Sequence, residues 1–196
     1  MARRGLLNEW QDQGNIGITV LTIACVLSQH GKDYDNSHVA RLQKQVADHI
    51  KQPYQFICLR DSPFPGWWAK LSLFEPRRFA GRVLYFDLDV TIVGDLDIVA
   101  DYPSGFVGAK DALTGGVNTS VMAWDAGTQD HIYKKFSLAI MRSMPGDQDW
   151  VNRISLPSRY PKEWFPSFKC DLQCDLKNVS NDAKAIIYHG FPKPWS

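Results

Sequence analysis

The sequence feature that most constrains the fold is an apolar run that leads directly into two aspartates, at residues 83–89. Residues 83–86 are apolar without polar alternation, which is typical of a strand buried on both faces in a parallel α/β sheet. Asp87 and Asp89 follow where this strand is expected to end, and ligands of open α/β sheets bind outside the carboxyl ends of the strands. Two carboxylates separated by one residue suit Mg²⁺ or Mn²⁺ that carries phosphates, although an isolated Asp-x-Asp also fits a loop of two solvated aspartates.

Strand-like and helix-like segments alternate along the chain, which predicts an α/β fold. Other strands are predicted at residues 17–27, 55–59, 106–109, 117–124 and 185–188, and helices at residues 38–50, 67–74 and 128–144. Asn36 or Ser37 is expected to cap the first helix. Residues 1–16 are expected to form a tail or an additional helix, and residues 17–196 a single domain that is large enough for a complete α/β core.

Charge and composition argue against several functional classes. The net charge is +1, so the sequence predicts no strong field that would attract nucleic acid or an anionic membrane. The apolar run at residues 16–27 is too short to span a bilayer and makes a poor signal peptide, so we expect no transmembrane segment and a cytoplasmic location. Cys170 and Cys174 lack a second Cys or His pair at zinc-finger spacing, which argues against a structural zinc.

Three further residues are candidates to join the two aspartates. His189 follows an apolar, strand-like run, and a neutral imidazole is a good ligand for Mn²⁺ beside carboxylates, although a lone His is more often a hydrogen-bonded structural residue. Lys193, between two prolines, and Lys70, on a predicted helix, could each contact a phosphate. The ordinary alternative for either lysine is a solvated surface charge.

Five segments form an ordered set that covers most of the chain from residue 17 onward. They are Trp-Ala-Lys-Leu at residues 68–71, the strand and aspartates at 83–89, Asn-Thr-Ser-Val-Met-Ala-Trp at 118–124, Asp-Gln-Asp-Trp-Val-Asn at 147–152, and His-Gly with Lys-Pro-Trp at 189–195. Together they resemble the nucleotide-sugar glycosyltransferases of the GT-A fold, and most closely the family 8 group. The resemblance implies one GT-A-like domain with a mostly parallel central sheet flanked by helices.

The resemblance also implies a function. Relatives of this kind transfer a hexose from a nucleotide-diphosphate sugar, usually a UDP-sugar, to an acceptor, and generally retain the anomeric configuration. The implied site residues are the Mn²⁺ (or Mg²⁺) ligands Asp87, Asp89 and His189, the substrate-binding residues Tyr34, Lys70, Asn118 and Lys193, and the catalytic candidates Asp147 and Gln148. The acceptor, whether glycan, lipid or protein, is not implied, because the stretch that usually shapes the acceptor side is compact here and Ser120 stands where many relatives have Gly.

Two other hypotheses remain open at this point. Residues 87–91 also resemble the Asp-x-Asp-x-Thr of haloacid-dehalogenase-type phosphohydrolases, in which Asp87 would be the nucleophile and Asp89 a general acid and base. That motif usually opens its domain, whereas two predicted strands precede it here. The second hypothesis is a non-catalytic domain that binds a nucleotide sugar without transferring it.

Overall fold

The computed structural model describes residues 21–28 and 33–196. The predicted N-terminal tail or helix lies outside the described residues, as do residues 17–20 of the first predicted strand. Within the described residues, eight strands form two sheets. They are β1 (Leu21–Val26), β2 (Tyr54–Leu59), β3 (Arg82–Phe86), β4 (Thr91–Ile92), β5 (Phe106–Lys110), β6 (Val117–Asp125), β7 (Ser158–Arg159) and β8 (Ala185–Ile186).

The central sheet has six strands in the order β2-β1-β3-β6-β5-β7, and β4 pairs with β8 in a small antiparallel sheet. β6 is antiparallel to both of its neighbours, β3 and β5, while the other pairings of the central sheet are parallel. Five of the six strands therefore run in the same direction. The predicted α/β fold with a mostly parallel central sheet is confirmed.

Helices flank this sheet and connect its strands. They are the α-helices α1 (Asn36–His49), α2 (Asp97–Ala100), α3 (Asp130–Lys134), α4 (Leu138–Ser143) and α5 (Asp147–Ser155), and the 3₁₀ helices Gly66–Phe74, Lys162–Trp164 and Leu176–Asn178. No helix in the described part of the chain is long and apolar enough to cross a membrane.

Three helix predictions need correction in detail. Asp35, and not Asn36 or Ser37, caps α1, because its carboxylate accepts a hydrogen bond from the backbone N–H of Ser37 at 2.8 Å. The segment predicted as a helix at residues 67–74 is a 3₁₀ helix. The helix predicted at residues 128–144 is two helices, because Ser137 takes an extended backbone and its side chain accepts from the N–H of Ile140, which begins α4.

The central sheet is buried on both faces. Along β3 the side chains alternate, so that Leu84 and Phe86 pack into one hydrophobic cluster with α1 while Val83 and Tyr85 pack into another with α5. All four residues are at most 2% exposed, as the uninterrupted apolar run predicts. This burial fixes where β3 ends, and it therefore fixes the position of the carboxylates that follow.

Candidate active site

Polar side chains from neighbouring strands meet at one edge of the central sheet. Because β6 is antiparallel to β3, the beginning of β6 lies beside the end of β3, and the N–H of Asp87 donates to the carbonyl of Ser120 at 2.8 Å. Asp111 follows β5 at the same edge, because β5 also pairs with β6. The arrangement brings together residues that are far apart in sequence.

Three clusters of polar side chains lie at this edge of the sheet, and the buried lysine Lys70 is at the centre of the first. The ammonium group of Lys70 lies 3.1 Å from Oδ1 of Asp87 and 3.2 Å from Oδ2 of Asp147. It also donates to the hydroxyl oxygen of Thr119 at 3.2 Å, and that hydroxyl donates to Asp147 at 2.8 Å. Lys70 and Asp147 are 8% and 6% exposed, so neither charge could persist there without its partners.

The electrostatics of this cluster favour a charged lysine. Burial alone would lower the pKa of Lys70, but the carboxylates of Asp147 and Asp87 act in the opposite direction and raise it above its ordinary value. Tyr85 adds a second donor, because its hydroxyl donates to Oδ1 of Asp87. Burial, together with that carboxylate, raises the pKa of Tyr85, which keeps the hydroxyl protonated as a donor.

A second cluster surrounds Asp89, which is 8% exposed. Oδ2 of Asp89 accepts a hydrogen bond from the hydroxyl of Tyr34 at 2.9 Å and from the ammonium of Lys193 at 2.5 Å. Lys193 also donates to the Tyr34 oxygen at 3.0 Å. Burial and the Asp89 carboxylate raise the pKa of Tyr34, so this hydroxyl also stays protonated. Each carboxylate of the Asp-x-Asp is thus held by one lysine and one tyrosine.

A third cluster orients two amide side chains. Oδ2 of Asp111 accepts hydrogen bonds from Gln148 at 3.0 Å and from Asn118 at 3.4 Å. The amide oxygen of Gln148 in turn accepts from the N–H of Thr119 at 3.3 Å. Burial alone would raise the pKa of Asp111, but the hydrogen bonds from Thr114 and Gln148 outweigh it and lower the pKa. The ionised carboxylate therefore fixes both amides.

A cavity of about 490 Å³ opens beside the first two clusters. Its lining combines charged and aromatic groups, which is typical of a ligand site in which a few polar groups fix the orientation. The lining residues that belong to the two clusters are Tyr34, Lys70, Tyr85, Asp87 and Asp89. Trp67 also lines the cavity and is 62% exposed, which is high for a tryptophan.

The described part of the chain does not assemble a complete metal site. Among residues 21–28 and 33–196, no group of three or more His, Cys, Asp or Glu side chains is arranged to hold a metal ion. His189 is half-buried and follows β8, and it forms no such group with Asp87 and Asp89. The metal and its three ligands stay predictions.

Several residues of this edge were missed in the sequence. Tyr85, Thr119 and Asp111 hold the candidate residues directly, and Arg41 contacts the backbone beside Asp89. Asp111 could have been found, because it follows a predicted strand in the same way as Asp87 does. Arg41 gave no such signal, since its partners are backbone carbonyls 47 and 49 residues away.

Comparison with models of protein families and with curated protein sequences found no match. Solved structures of glycosyltransferases do match. The glycosyltransferase GlyE of Streptococcus pneumoniae TIGR4 superposes with a TM-score of 0.62 at 14% identity, over 91% of this chain and 56% of that chain. The galactosyltransferase LgtC, in complex with donor and acceptor sugar analogs, gives a TM-score of 0.58 at 15% identity over 89% of each chain. A glycosyltransferase involved in glycosylation of the major capsid of PBCV-1 gives 0.60 at 14% identity, over 85% of this chain and 92% of that chain.

These likenesses define the fold. The chain has a GT-A-like glycosyltransferase fold, and it spans slightly more than half of the length of GlyE. They do not favour the phosphohydrolase hypothesis. Membership of family 8 and the roles of the individual site residues stay predictions, because identities of 14–15% define a fold and no more.

Proposed function

We propose that this protein is a metal-dependent glycosyltransferase that moves a hexose from a nucleotide-diphosphate sugar, a UDP-sugar, to an acceptor with retention of configuration. The observation that carries the proposal is the pair of carboxylates at the end of β3, each paired with a lysine and a tyrosine at the rim of one cavity. A cavity of this size that is lined by both acidic and basic groups suits a ligand with a diphosphate and a polar ring. The donor and acceptor analogs bound to LgtC support the same substrate class.

The oxygen donors present fit a hard divalent cation. A carboxylate can accept about four hydrogen bonds or ligand contacts. Tyr34 and Lys193 both contact Oδ2 of Asp89 rather than Oδ1. Mn²⁺ or Mg²⁺ would be held by Asp87 and Asp89, with His189 as a third ligand. When bound, the cation would neutralise charge that develops on the departing nucleoside diphosphate.

The remaining roles belong to the side chains of the chain itself. Lys193 and Lys70 would face the diphosphate and offset its negative charge in the transition state. Asp147 and Gln148 would face the transferred sugar, where a carboxylate and an amide oxygen stabilise an oxocarbenium-like centre. Lys70 already contacts both Asp87 and Asp147, so it lies between the group that would meet the diphosphate and the group that would meet the sugar.

A donor-hydrolysis assay tests this function without knowledge of the acceptor. The protein is incubated with a panel of UDP-hexoses and Mn²⁺, and released UDP is measured with and without EDTA. We expect slow, Mn²⁺-dependent release that is lost in Asp89→Asn and kept in Asp182→Asn, a control at an exposed aspartate. Phosphate release from p-nitrophenyl phosphate that requires Asp87 would instead establish a phosphohydrolase. UDP-sugar binding without turnover on any donor would indicate a binding domain.

A further inference from the structure

The carboxyl-terminal segment, residues 189–196, docks against the start of α1 through an aromatic contact. The ring of Trp195 meets the ring of His38 edge-on, with 4.3 Å between centroids, and that of Tyr34 at 5.9 Å. The backbone N–H of Lys193 donates to the hydroxyl of Ser196 at 2.8 Å, and the N–H of Ser196 donates to the carbonyl of Lys193 at 3.1 Å. Lys193 and Trp195 are therefore held in one compact turn.

Arg41, on α1, contacts both this segment and the backbone around Asp89. Its Nη2 donates to the carbonyl of Leu88 at 2.5 Å and to that of Val90 at 3.3 Å, the residues on either side of Asp89. The same guanidinium lies 5.0 Å from the centroid of the Trp195 ring. Burial lowers the pKa of Arg41, and the carboxylate of Asp89 acts in the opposite direction. The cation therefore lies within electrostatic reach of the site.

We propose that Arg41 is a positioning residue that fixes Asp89 and Lys193 relative to each other. Its Nη2 holds the carbonyls of the two residues that flank Asp89, and its contact with the Trp195 ring holds the turn that carries Lys193. The inference rests on the proposed function in one respect, since this pair is expected to contact the donor diphosphate.

The guanidinium group suits this role for a geometric reason. It is planar, donates in its plane and can stack through its faces, so one side chain can bond carbonyl groups and contact an aromatic ring at the same time. A lysine ammonium at this position would keep the charge but lacks the planar group that reaches from these carbonyls to the Trp195 ring. Arg41→Lys therefore separates positioning from charge.

A ligand-free experiment tests the positioning directly. Lysines of the wild type and of variants are acetylated with an activated ester, and each site is followed by mass spectrometry. Lys193 should react slowly in the wild type, because its side chain is 15% exposed and bonded to Asp89. We expect its acetylation to rise at least threefold in Arg41→Lys and in Trp195→Ala, with much of the protection kept in Trp195→Phe. An unchanged Lys193 rate in Arg41→Lys would overturn the proposal.

Two other lysines distinguish local release from general loss of structure. Lys177 is exposed and reports reagent activity, while Lys70 is buried and reports unfolding. Both should react as in the wild type in every variant, and so should the matched control Arg142→Lys, at an exposed position on α4. A parallel rise at Lys70 and Lys193 would indicate a purely structural role and would contradict the proposal.

The functional consequence is measured as UDP affinity in the presence of Mn²⁺. We expect Trp195→Ala to weaken UDP binding about tenfold in the wild-type background. In a protein that already carries Lys193→Met, the same change should weaken binding by less than a further twofold, because both changes act through the Lys193 ammonium. Additive losses would contradict the coupling. If the wild type binds no UDP, the proposed function fails, while the acetylation result still decides the role of Arg41.

Discussion

Replacement of Lys70 by Met should expose how strongly the site depends on one buried cation. Lys70 is 8% exposed, and its ammonium lies 3.1 Å and 3.2 Å from the carboxylates of Asp87 and Asp147. Methionine has a similar length and no charge, so Lys70→Met leaves two carboxylates facing each other with neutral donors alone. Removal of one partner of a buried ion pair costs about 3–5 kcal/mol.

The expected loss lies at the lower end of that range. The side chain of Asp87 is 25% exposed at the cavity, where water offsets part of the lost interaction. We therefore expect a decrease of about 3 kcal/mol in the free energy of unfolding at pH 7. For a chain of this length that corresponds to a melting temperature lower by roughly 6–12 °C.

Urea unfolding followed by circular dichroism at pH 7 measures this difference. Lys177→Met is the matched control, because Lys177 is exposed. The double variant Lys70→Met/Asp147→Asn should recover part of the loss, since it removes the unpaired charge. A loss below about 1 kcal/mol would refute the argument that Lys70 neutralises this pair.

Three further predictions concern the other parts of the site and the sheet. Asp111→Asn should destabilise the protein by about 2 kcal/mol at pH 7. Because hydrogen bonds lower the pKa of Asp111 in the folded protein, the stability lost in the variant should shrink as the pH falls below 3.8, which thermal melts can measure. Gln148→Ala should lower donor turnover, measured by steady-state kinetics, about a hundredfold, and should change UDP affinity, measured by calorimetry, by no more than roughly threefold. Equal losses of turnover and of UDP affinity would contradict the assignment of Gln148 to the sugar. Gly108→Ala should cost about 1–3 kcal/mol in chemical denaturation, because the new Cβ would lie 2.3 Å from Cγ1 of Val117, and a neutral result would show that the β5–β6 pairing relaxes freely.

The central strand and its two aspartates could be predicted because their signal is local. An uninterrupted apolar run must be buried on both faces, and the polar residues after it must then lie at the edge of the sheet. Lys70 and Lys193 were candidates from their positions in the sequence, whereas Asp147 was identified through the resemblance to a family. Their observed contacts, such as that between Lys193 and Asp89, join residues 104 positions apart, which no local pattern reports.

The details that could not be predicted depend on single hydrogen bonds. The hydrophobic period at residues 128–144 continues through Ser137, so the pattern indicated one helix. The break follows from the hydroxyl of Ser137 capping α4, a bond that competes with helix continuation and leaves the period unchanged. In the same way, the periodicity of α1 does not locate its cap, which was predicted at Asn36 or Ser37 and is formed by Asp35.

The most direct test of the proposed function is calorimetric titration of UDP into the purified protein with Mn²⁺ and again with EDTA. The account predicts binding that requires Mn²⁺, that is abolished in Asp89→Asn, and that is unchanged in Asp182→Asn. UDP binding of equal strength in EDTA, or binding that survives the loss of both Asp87 and Asp89, would contradict the assignment of these carboxylates to a metal-bound donor diphosphate.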